Sequence, residues 1–417
     1  MSELRLIEKC RVCGKDPEDS FVGLQIDDDI MIRFPRGYNL SENMTDEEVR
    51  NQVFLLLSTI NASQNELLSN ADFTAADEFA NDFPFFSYLY VLYDFMAHGY
   101  YKETEPSSVR DQSGKINWSK TIKNIKPIVQ NGSFIYTDFY VRKNRLKEEE
   151  LFHLVQQYCI YLSFERIGWL FSSRSFEKPL IAFNEDLFAA VVTNKLVHTF
   201  NDMNKQLFLH MLNVIHNVEE SEIKNVKRYG TNRFEYVWEN MIDKVFGIED
   251  KEKYYPTTVW LIDGTETKSS DLRPNTIMKN GSSVLVLDAK YYRYGLKANS
   301  YNLPDSSSTH KQITYGEYIN QNRLTFAKDF GEDYTVYNAF LLPFDTESGP
   351  FSVVSGGQPY YRFGESISNW KGSEEPFERV QGVLVDVKHL LNMNLLHSQE
   401  EINALTQEIV SNVVPKG

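Results

Sequence analysis

Residues 273–292, RPNTIMKNGSSVLVLDAKYY, close an apolar run on an acid and a lysine two positions apart. Asp288 and Lys290 share a parity on a strand, so both side chains leave the same face. Together in a core they are costly, unless they neutralise each other or serve a site. Phosphodiester hydrolysis wants these groups: carboxylates to hold Mg2+ or Mn2+, and a lysine near the attacking water. The metal stabilises charge building on the phosphate, and the lysine orients or deprotonates the nucleophile. A second acid is expected from the neighbouring strand. The residue after Pro274 on that strand is Asn275, an amide with one oxygen but without the charge that holds a divalent cation.

Several elements must position this group. FEYVWENMIDKVFG (234–247) puts Phe234, Val237, Trp238, Met241, Ile242 and Val245 on one stripe, which predicts a helix with a buried face. Glu235 and Glu239 lie four apart along one side of it. TTVWLID (257–263) reads as an apolar strand, turn-rich GTETKSS follows, and LRPNTIM alternates as a second strand. Asn280-Gly281 signals a hairpin turn, and VLVLDAKYY gives a third, buried strand. From 233 onward the expected order is helix, three strands, helix, strand and mixed structure, with a helical tail over about 385–412.

The first half of the chain reads differently. FVGLQIDDDIMIRF (21–34) alternates on both sides of Asp27-Asp28-Asp29, a hairpin with an acidic turn. Thr45 and Glu48 form a capping-box pattern ahead of a helix over about 46–60, and residues 83–101 form a second, aromatic helix. Residues 110–147 hold nine Lys or Arg (110, 115, 120, 123, 126, 142, 143, 145, 147) against Asp111 and Asp138, a local excess of seven positive charges. Trp118, Phe134, Tyr136, Phe139 and Tyr140 interleave with them. Two readings stand: a surface for phosphate or a partner, or solvated lysines on a hairpin whose alternate residues pack inward. Residues 148–228 read as mainly helical, with His210 and His216 off any metal-binding spacing, and Gly230-Thr231-Asn232 marks a boundary.

The 417 residues suffice for two or three domains, and 28 Phe and 24 Tyr supply a sizeable core. The net charge of −15 argues against coating nucleic acid through the overall field, leaving a local basic face or a partner to supply affinity. No apolar run long enough for a membrane span occurs, and MSELRLIEKCRVC lacks a signal peptide's apolar region. Three cysteines argue for a reducing cytoplasm. Cys10 and Cys13 have half of a zinc spacing without its other half, so two thiols are the plainer account.

The block resembles the PD-(D/E)XK nuclease fold, with helix, hairpin strands and D-A-K in that order. More closely, the chain is similar to the LlaJI family of restriction endonucleases, relatives of the nuclease subunit of McrBC systems. FPRGYNL (34–40), GKINWSKTIKNIKPIVQ (114–130), FIYTDFYVRKN (134–144), YGTNRFEYVWENMIDKVFG (229–247), LRPNTIM (272–278), LDAKYYRYG (287–295) and KQITYGEYI (311–319) carry the resemblance.

The resemblance implies an α/β (α+β) architecture. Its parts are an N-terminal α+β domain over 1–150 that contacts DNA or a partner, a helical connector over 151–230, and a nuclease core of helix, mixed sheet and helix over 231–417. It implies a Mg2+- or Mn2+-dependent endonuclease that acts on double-stranded DNA with an McrB-like AAA+ GTPase and pairs on DNA to cut both strands. Asp288 would bridge the metal and Lys290 would be the catalytic lysine. Glu239 would be an outer ligand or water orienter, with Glu235 in reserve. Gln312 and Tyr315 would face DNA or the site from the following helix.

Asn275 departs from the family pattern, which has aspartate after the proline. Three accounts compete: an engineered Asp→Asn change, a natural loss of cleavage, or replacement by Asp271, which stands about 13 Å of strand away. Rival functions are a non-catalytic subunit that binds and stimulates the GTPase ring, and a standalone repair nuclease suggested by Gln312 and Tyr315. The plain structural alternative is a surface Asp–Lys pair without a site.

Overall fold

The computed structural model describes residues 5–13, 20–27, 29–69, 78–147, 150–171, 176–218, 226–269, 271–371, 374–393, 398–411 and 413. The chain forms two compact units, one of Met1–Phe83 with Ile223–Gly417 and one of Pro84–Glu222. These cuts differ from the sequence-based division at 150 and 230.

In the first unit, β1 (Cys10–Val12) lies parallel to β3 (Ile30–Phe34), and β3 pairs antiparallel with β2 (Val22–Ile26). The β2–β3 hairpin is the one its alternation predicts, with Asp27 and Asp29 in the turn and Asp28 outside the described residues. Thr45 N–H donates to Glu48 Oε2 at 2.8 Å and Glu48 N–H donates to Thr45 Oγ1 at 3.3 Å. This reciprocal pair opens α1 (Asp46–Ser69). The helix outruns its expected end near 60, because Ser63 is buried there and donates to Asn240 Oδ1 at 3.1 Å. Strand β4 (Phe79–Asn81) follows.

The second unit opens with α2 (Phe85–His98). Strands β5 (Glu103–Arg110), β6 (Lys115–Ile116) and β9 (Tyr140–Lys147) form a three-stranded sheet. Between them lie α3 (Trp118–Asn124) and a separate hairpin of β7 (Ile128–Gln130) and β8 (Ser133–Ile135). That hairpin does not pack alternate residues inward. Ile128, Val129, Phe134 and Ile135 are 43–70% exposed, since neither face is covered. Helices α4 (Glu150–Ile167), α5 (Glu185–His198) and α6 (Asp202–His216) complete the unit.

The chain re-enters the first unit at β10 (Lys227–Thr231), placed where the sequence suggests only a boundary. Strand β10 pairs antiparallel with both β2 and β4, giving the order β1-β3-β2-β10-β4. The N-terminal hairpin therefore belongs with the C-terminal half. Gly23 and Gly230 face each other in this register, and a Cβ on Gly230 would stand 2.1 Å from the Val22 carbonyl oxygen.

Helix α7 (Phe234–Phe246) buries the predicted stripe from Phe234 to Val245. Strands β11 (Val259–Ile262) and β12 (Thr265–Lys268) then form an isolated hairpin. The apolar strand expected over 257–263 is therefore present, in a two-stranded sheet separate from the one that bears the site. That sheet has the order β13-β14-β15-β17-β16, from β13 (Thr276–Asn280), β14 (Ser283–Ala289), β15 (Thr335–Phe344), β16 (Tyr360–Ile367) and β17 (Arg379–Asp386). Strands β14, β15 and β17 run parallel, with antiparallel β13 and β16 at the edges.

Between β14 and β15 come α8 (Tyr294–Lys297) and α9 (Ser306–Gln321). Val284 and Val286 share a core with Ile313, Tyr315 and Ile319 of α9, while α7 packs against β13 and β14. The tail holds α10 (Val387–Met393) and α11 (Gln399–Val410). The molecule is thus mixed α and β. Among the described residues, no helix is long and apolar enough to cross a membrane.

Candidate active site

Strand β14 is buried from Val284 to Ala289, and it delivers Asp288 at its end with 6% exposure. Lys290 has left the strand, yet its N–H still donates to the Leu341 carbonyl at 2.9 Å. That bond fixes the lysine backbone beside β15. The Lys290 ammonium lies 2.9 Å from Asp288 Oδ2, on one side as their parity predicts. Asp288 Oδ1 is buried without a hydrogen-bond partner. Burial raises the Asp288 pKa, opposed by Lys290 and by Lys311. A buried carboxylate oxygen left unpaired costs free energy, and a bound cation relieves that cost.

Glu239 approaches from α7. Burial pushes its carboxyl up to about 7, Asp288 adds to the rise, and Lys290 opposes it. It therefore senses the charges of the pair. Glu235 turns away to Arg233, whose Nε donates to it at 2.6 Å.

Asn275 directly precedes β13, whose first residue, Thr276, pairs with Leu287. Continuing that antiparallel register sets Asn275 across from Asp288. A small network holds it there. Lys251 Nζ donates to the Asn275 carbonyl at 2.6 Å and meets Asp243 Oδ2 at 2.6 Å. Thr276 Oγ1 donates to Asp243 Oδ1 at 2.9 Å. Asp271 pairs instead with Lys268, at 3.0 Å.

Of the two expected orientations of Gln312 and Tyr315, toward DNA or toward the site, the phase of α9 gives an inward one, with both side chains buried. Gln312 is fully buried; its Nε2 donates to the Val286 carbonyl at 2.6 Å, while its Oε1 has no partner. The Tyr315 hydroxyl donates to the Arg273 carbonyl at 3.2 Å. Burial raises its pKa and the charge of Asp288 adds to that. One residue thus braces the strand of Asp288 and the other the approach to Asn275. Sequence reasoning missed Lys311, Lys251 and Asp243. Lys311 adjoins Gln312 in KQITYGEYI, so its neighbour was the available signal; the other two had none.

Cys10 and Cys13 are buried thiols. Cys10 Sγ lies 3.5 Å from the Leu6 carbonyl oxygen and Cys13 Sγ 2.8 Å from that of Phe21. Burial pushes their pKa values up to about 12 and about 11, so in the metal-free chain both are protonated thiols. Among the described residues, no group of three or more His, Cys, Asp or Glu could hold a metal.

An acid and a lysine are thus paired at the buried end of a parallel strand, with Asn275 across from the acid in register. The family model described as LlaJI restriction endonuclease matches residues 21–358, most of the chain. The chain belongs to the LlaJI restriction endonuclease family. It is also 26% identical over 276 residues to the "Type II restriction enzyme BsuMI component YdjA" of Bacillus subtilis strain 168. The alignment covers 61% of this chain and spans 57% of that relative.

Proposed function

We propose that this chain is the DNA endonuclease subunit of a restriction system, with a PD-(D/E)XK-type core over its second sheet. The observation that carries this reading is the buried Asp288, one oxygen 2.9 Å from Lys290 and the other unpartnered. Family membership supports DNA as the substrate, and we take it to be double-stranded. Asp288, Glu239 and the Asn275 amide would hold Mg2+ or Mn2+. The donor set fits, because Asp288 Oδ1 is buried without a hydrogen-bond partner and a nearby cation would offset the burial of both carboxyls. The bound ion would supply positive charge against the charge that builds on the phosphate.

The chain's own groups do the rest. Lys290 orients the attacking water, and its ammonium keeps Asp288 ionised despite burial. Glu239 takes up or releases a proton near neutrality. Gln312 and Tyr315 fix the strand ends, so the reacting groups keep their spacing. Asn275 lacks the second negative charge, so the chain cuts slowly or not at all as it stands.

The relative's printed name calls it a component, which supports work in an assembly. We assign the partner role to an McrB-like AAA+ GTPase that recognises the DNA. The test compares this chain with its Asn275→Asp variant on plasmid or phage DNA, with Mg2+, GTP and that GTPase. Cleavage should appear in the variant and be weak or absent in the parent. A variant that fails to cut with its true partner and substrate removes the nuclease reading.

A second reading rests on Asn275 itself: a non-catalytic subunit that stimulates the GTPase. It predicts GTP turnover raised equally by the parent chain and by Lys290→Ala.

A further inference from the structure

The motif FPRGYNL (34–40) has no part in the chemistry above, yet it folds into a tightly held turn. Tyr38 N–H donates to the Pro35 carbonyl at 3.1 Å, and Gly37 has φ +83°, the positive value that the third residue of a type II turn requires. A Cβ on Gly37 would stand 2.9 Å from Val387 Cγ2 and 3.3 Å from Leu296 Cδ2, so a side chain here would be both strained and crowded. Phe34 and Tyr38 stack with centroids 4.4 Å apart. Asn39 Nδ2 donates to both oxygens of Asp345, at 3.2 and 3.3 Å. These contacts fix the backbone around Arg36.

Arg36 reaches the site through a single residue. Its guanidinium lies 5.3 Å from the centroid of the Tyr291 ring, and the Tyr291 hydroxyl donates to the Arg36 carbonyl at 3.4 Å. Tyr291 directly follows Lys290. Its ring also meets Phe234 and Trp238 of α7, at 5.3 and 6.0 Å, on the helix that carries Glu239.

Beside this turn opens a cleft of about 590 Å³ at the carboxyl ends of β14 and β15. Among the described residues, Arg36, Arg293 and Lys297 line it together with one carboxylate, Asp345. Asp345 is already engaged by its own loop: besides Asn39, it accepts from the N–H groups of Glu347 and Ser348, at 2.8 and 3.2 Å, and from the Ser348 hydroxyl. In a chain of net charge −15, three cations converging on one cleft mark a place for an anion. In open sheets with parallel strands, ligands bind outside the carboxyl ends of those strands.

We propose that Arg36, Arg293 and Lys297 form a phosphate-binding subsite, which grips the DNA strand at a phosphodiester close to the one cleaved beside Lys290. This assignment rests on the nuclease reading and extends it to substrate positioning. Two residues separate Lys290 from Arg293, which are at most about 11 Å of chain apart. Phosphates follow one another every ~3.4 Å along the axis of each strand, so the subsite lies a few nucleotides from the cut. The two guanidinium groups suit bidentate contact with phosphate oxygens, and the exposed Lys297 adds a point charge.

The test is equilibrium binding of a fluorescent DNA duplex to the full chain across a salt series, with Ca2+ replacing Mg2+. The slope of log affinity against log salt should fall by about one to two in an Arg36→Gln, Arg293→Gln variant, at about 0.9 for each phosphate that is no longer neutralised. Arg36→Lys with Arg293→Lys should restore the slope while recovering only part of the affinity. Lys297→Gln alone, at an exposed position, should lower the slope by about one without changing the melting temperature.

An unchanged slope in both glutamine variants overturns the assignment, and so does a parent chain without salt-dependent duplex binding. A deoxynucleoside monophosphate should leave duplex binding unmoved at micromolar concentration; displacement of the duplex would point to a free-nucleotide pocket and overturn the strand assignment. Failure of the nuclease reading is seen separately, as an inactive Asn275→Asp chain, because the slope does not depend on cleavage.

Discussion

Two short apolar stretches of this chain meet opposite fates. VWLI (259–262) in β11 is 48–77% exposed, whereas VLVL (284–287) in β14 is fully buried. Their compositions are nearly the same. Strand β14 lies between β13 and β15 with helices packed on it, while β11 pairs only with β12. Burial of one Leu or Val side chain contributes about 1.5–3 kcal/mol, and β14 collects that contribution at every position. This stabilisation lets the strand carry Asp288 into a place where water cannot solvate it. A hairpin such as β11–β12, open on its faces, has no means to hold a buried charge.

The largest effect should come from the charged end of the buried strand. In the Asn275→Asp background, Lys290→Ala should lower the single-turnover cleavage rate about 10²–10⁴-fold, the range for a positioned group that assists proton transfer. The melting temperature should fall as well, because Asp288 is left buried without its cation, so the rate is read well below the midpoint. A drop of only a few-fold would mean that the ammonium serves Asp288 alone.

Next comes the comparison itself. Leu285→Ala in β14 should destabilise the protein by about 2–5 kcal/mol, as large-to-small core changes do. Leu261→Ala in β11 should stay within about 0.5 kcal/mol. Denaturant titration of the two variants side by side checks this. Similar losses in both would mean that the β11 hairpin is covered in solution.

Glu239 gives a pH-dependent signature. Its folded pKa of about 7 stands above the ordinary glutamate value of 4.5, with burial the main cause. Between these two values the folded state holds a proton that the unfolded chain has released. The stability that this group contributes is therefore present below the unfolded pKa and is lost as pH rises through about 7. Glu239→Gln should flatten the fall in stability across that window and leave the variant more stable above it, by roughly 2 kcal/mol. Unfolding midpoints across the window report it. Parallel curves for the parent and the variant would show that Glu239 is solvated and remote from Asp288.

Much of the site could be read from local pattern. The reciprocal Thr45–Glu48 cap, the stripe of α7 and the shared face of Asp288 and Lys290 all follow from spacing within a turn or two. Partner choice does not. Strand β10 joins β2 across about two hundred residues, and periodicity carries no record of its partner. Nor could an apolar run reveal that β11 lacks cover. The hairpin turn slipped by one residue for a similar reason: Asn280 pairs with Ser283, leaving Gly281 and Ser282 as the loop. Gln312 and Tyr315 were found by resemblance, but whether they face outward or inward could not be read, because the rotational phase of α9 is set by its packing on β14 and β15.

The smallest effect is the most informative about that phase. Gln312 holds no charge and is buried away from solvent, so Gln312→Ala can act only through the Val286 carbonyl and the space left behind. Removing the donor should cost about 1–3 kcal/mol of stability. Any catalytic effect must come from freedom gained by β14 two residues before Asp288. In the Asn275→Asp background this should lower kcat about tenfold, equivalent to ~1.4 kcal/mol, with KM for DNA unchanged. Gln312→Glu should be worse than alanine, since a carboxylate would then face the carbonyl in place of a donor. A loss of stability with kcat intact would show Gln312 to be a packing brace alone. A rise in KM would return it to the DNA-facing role that its burial argues against.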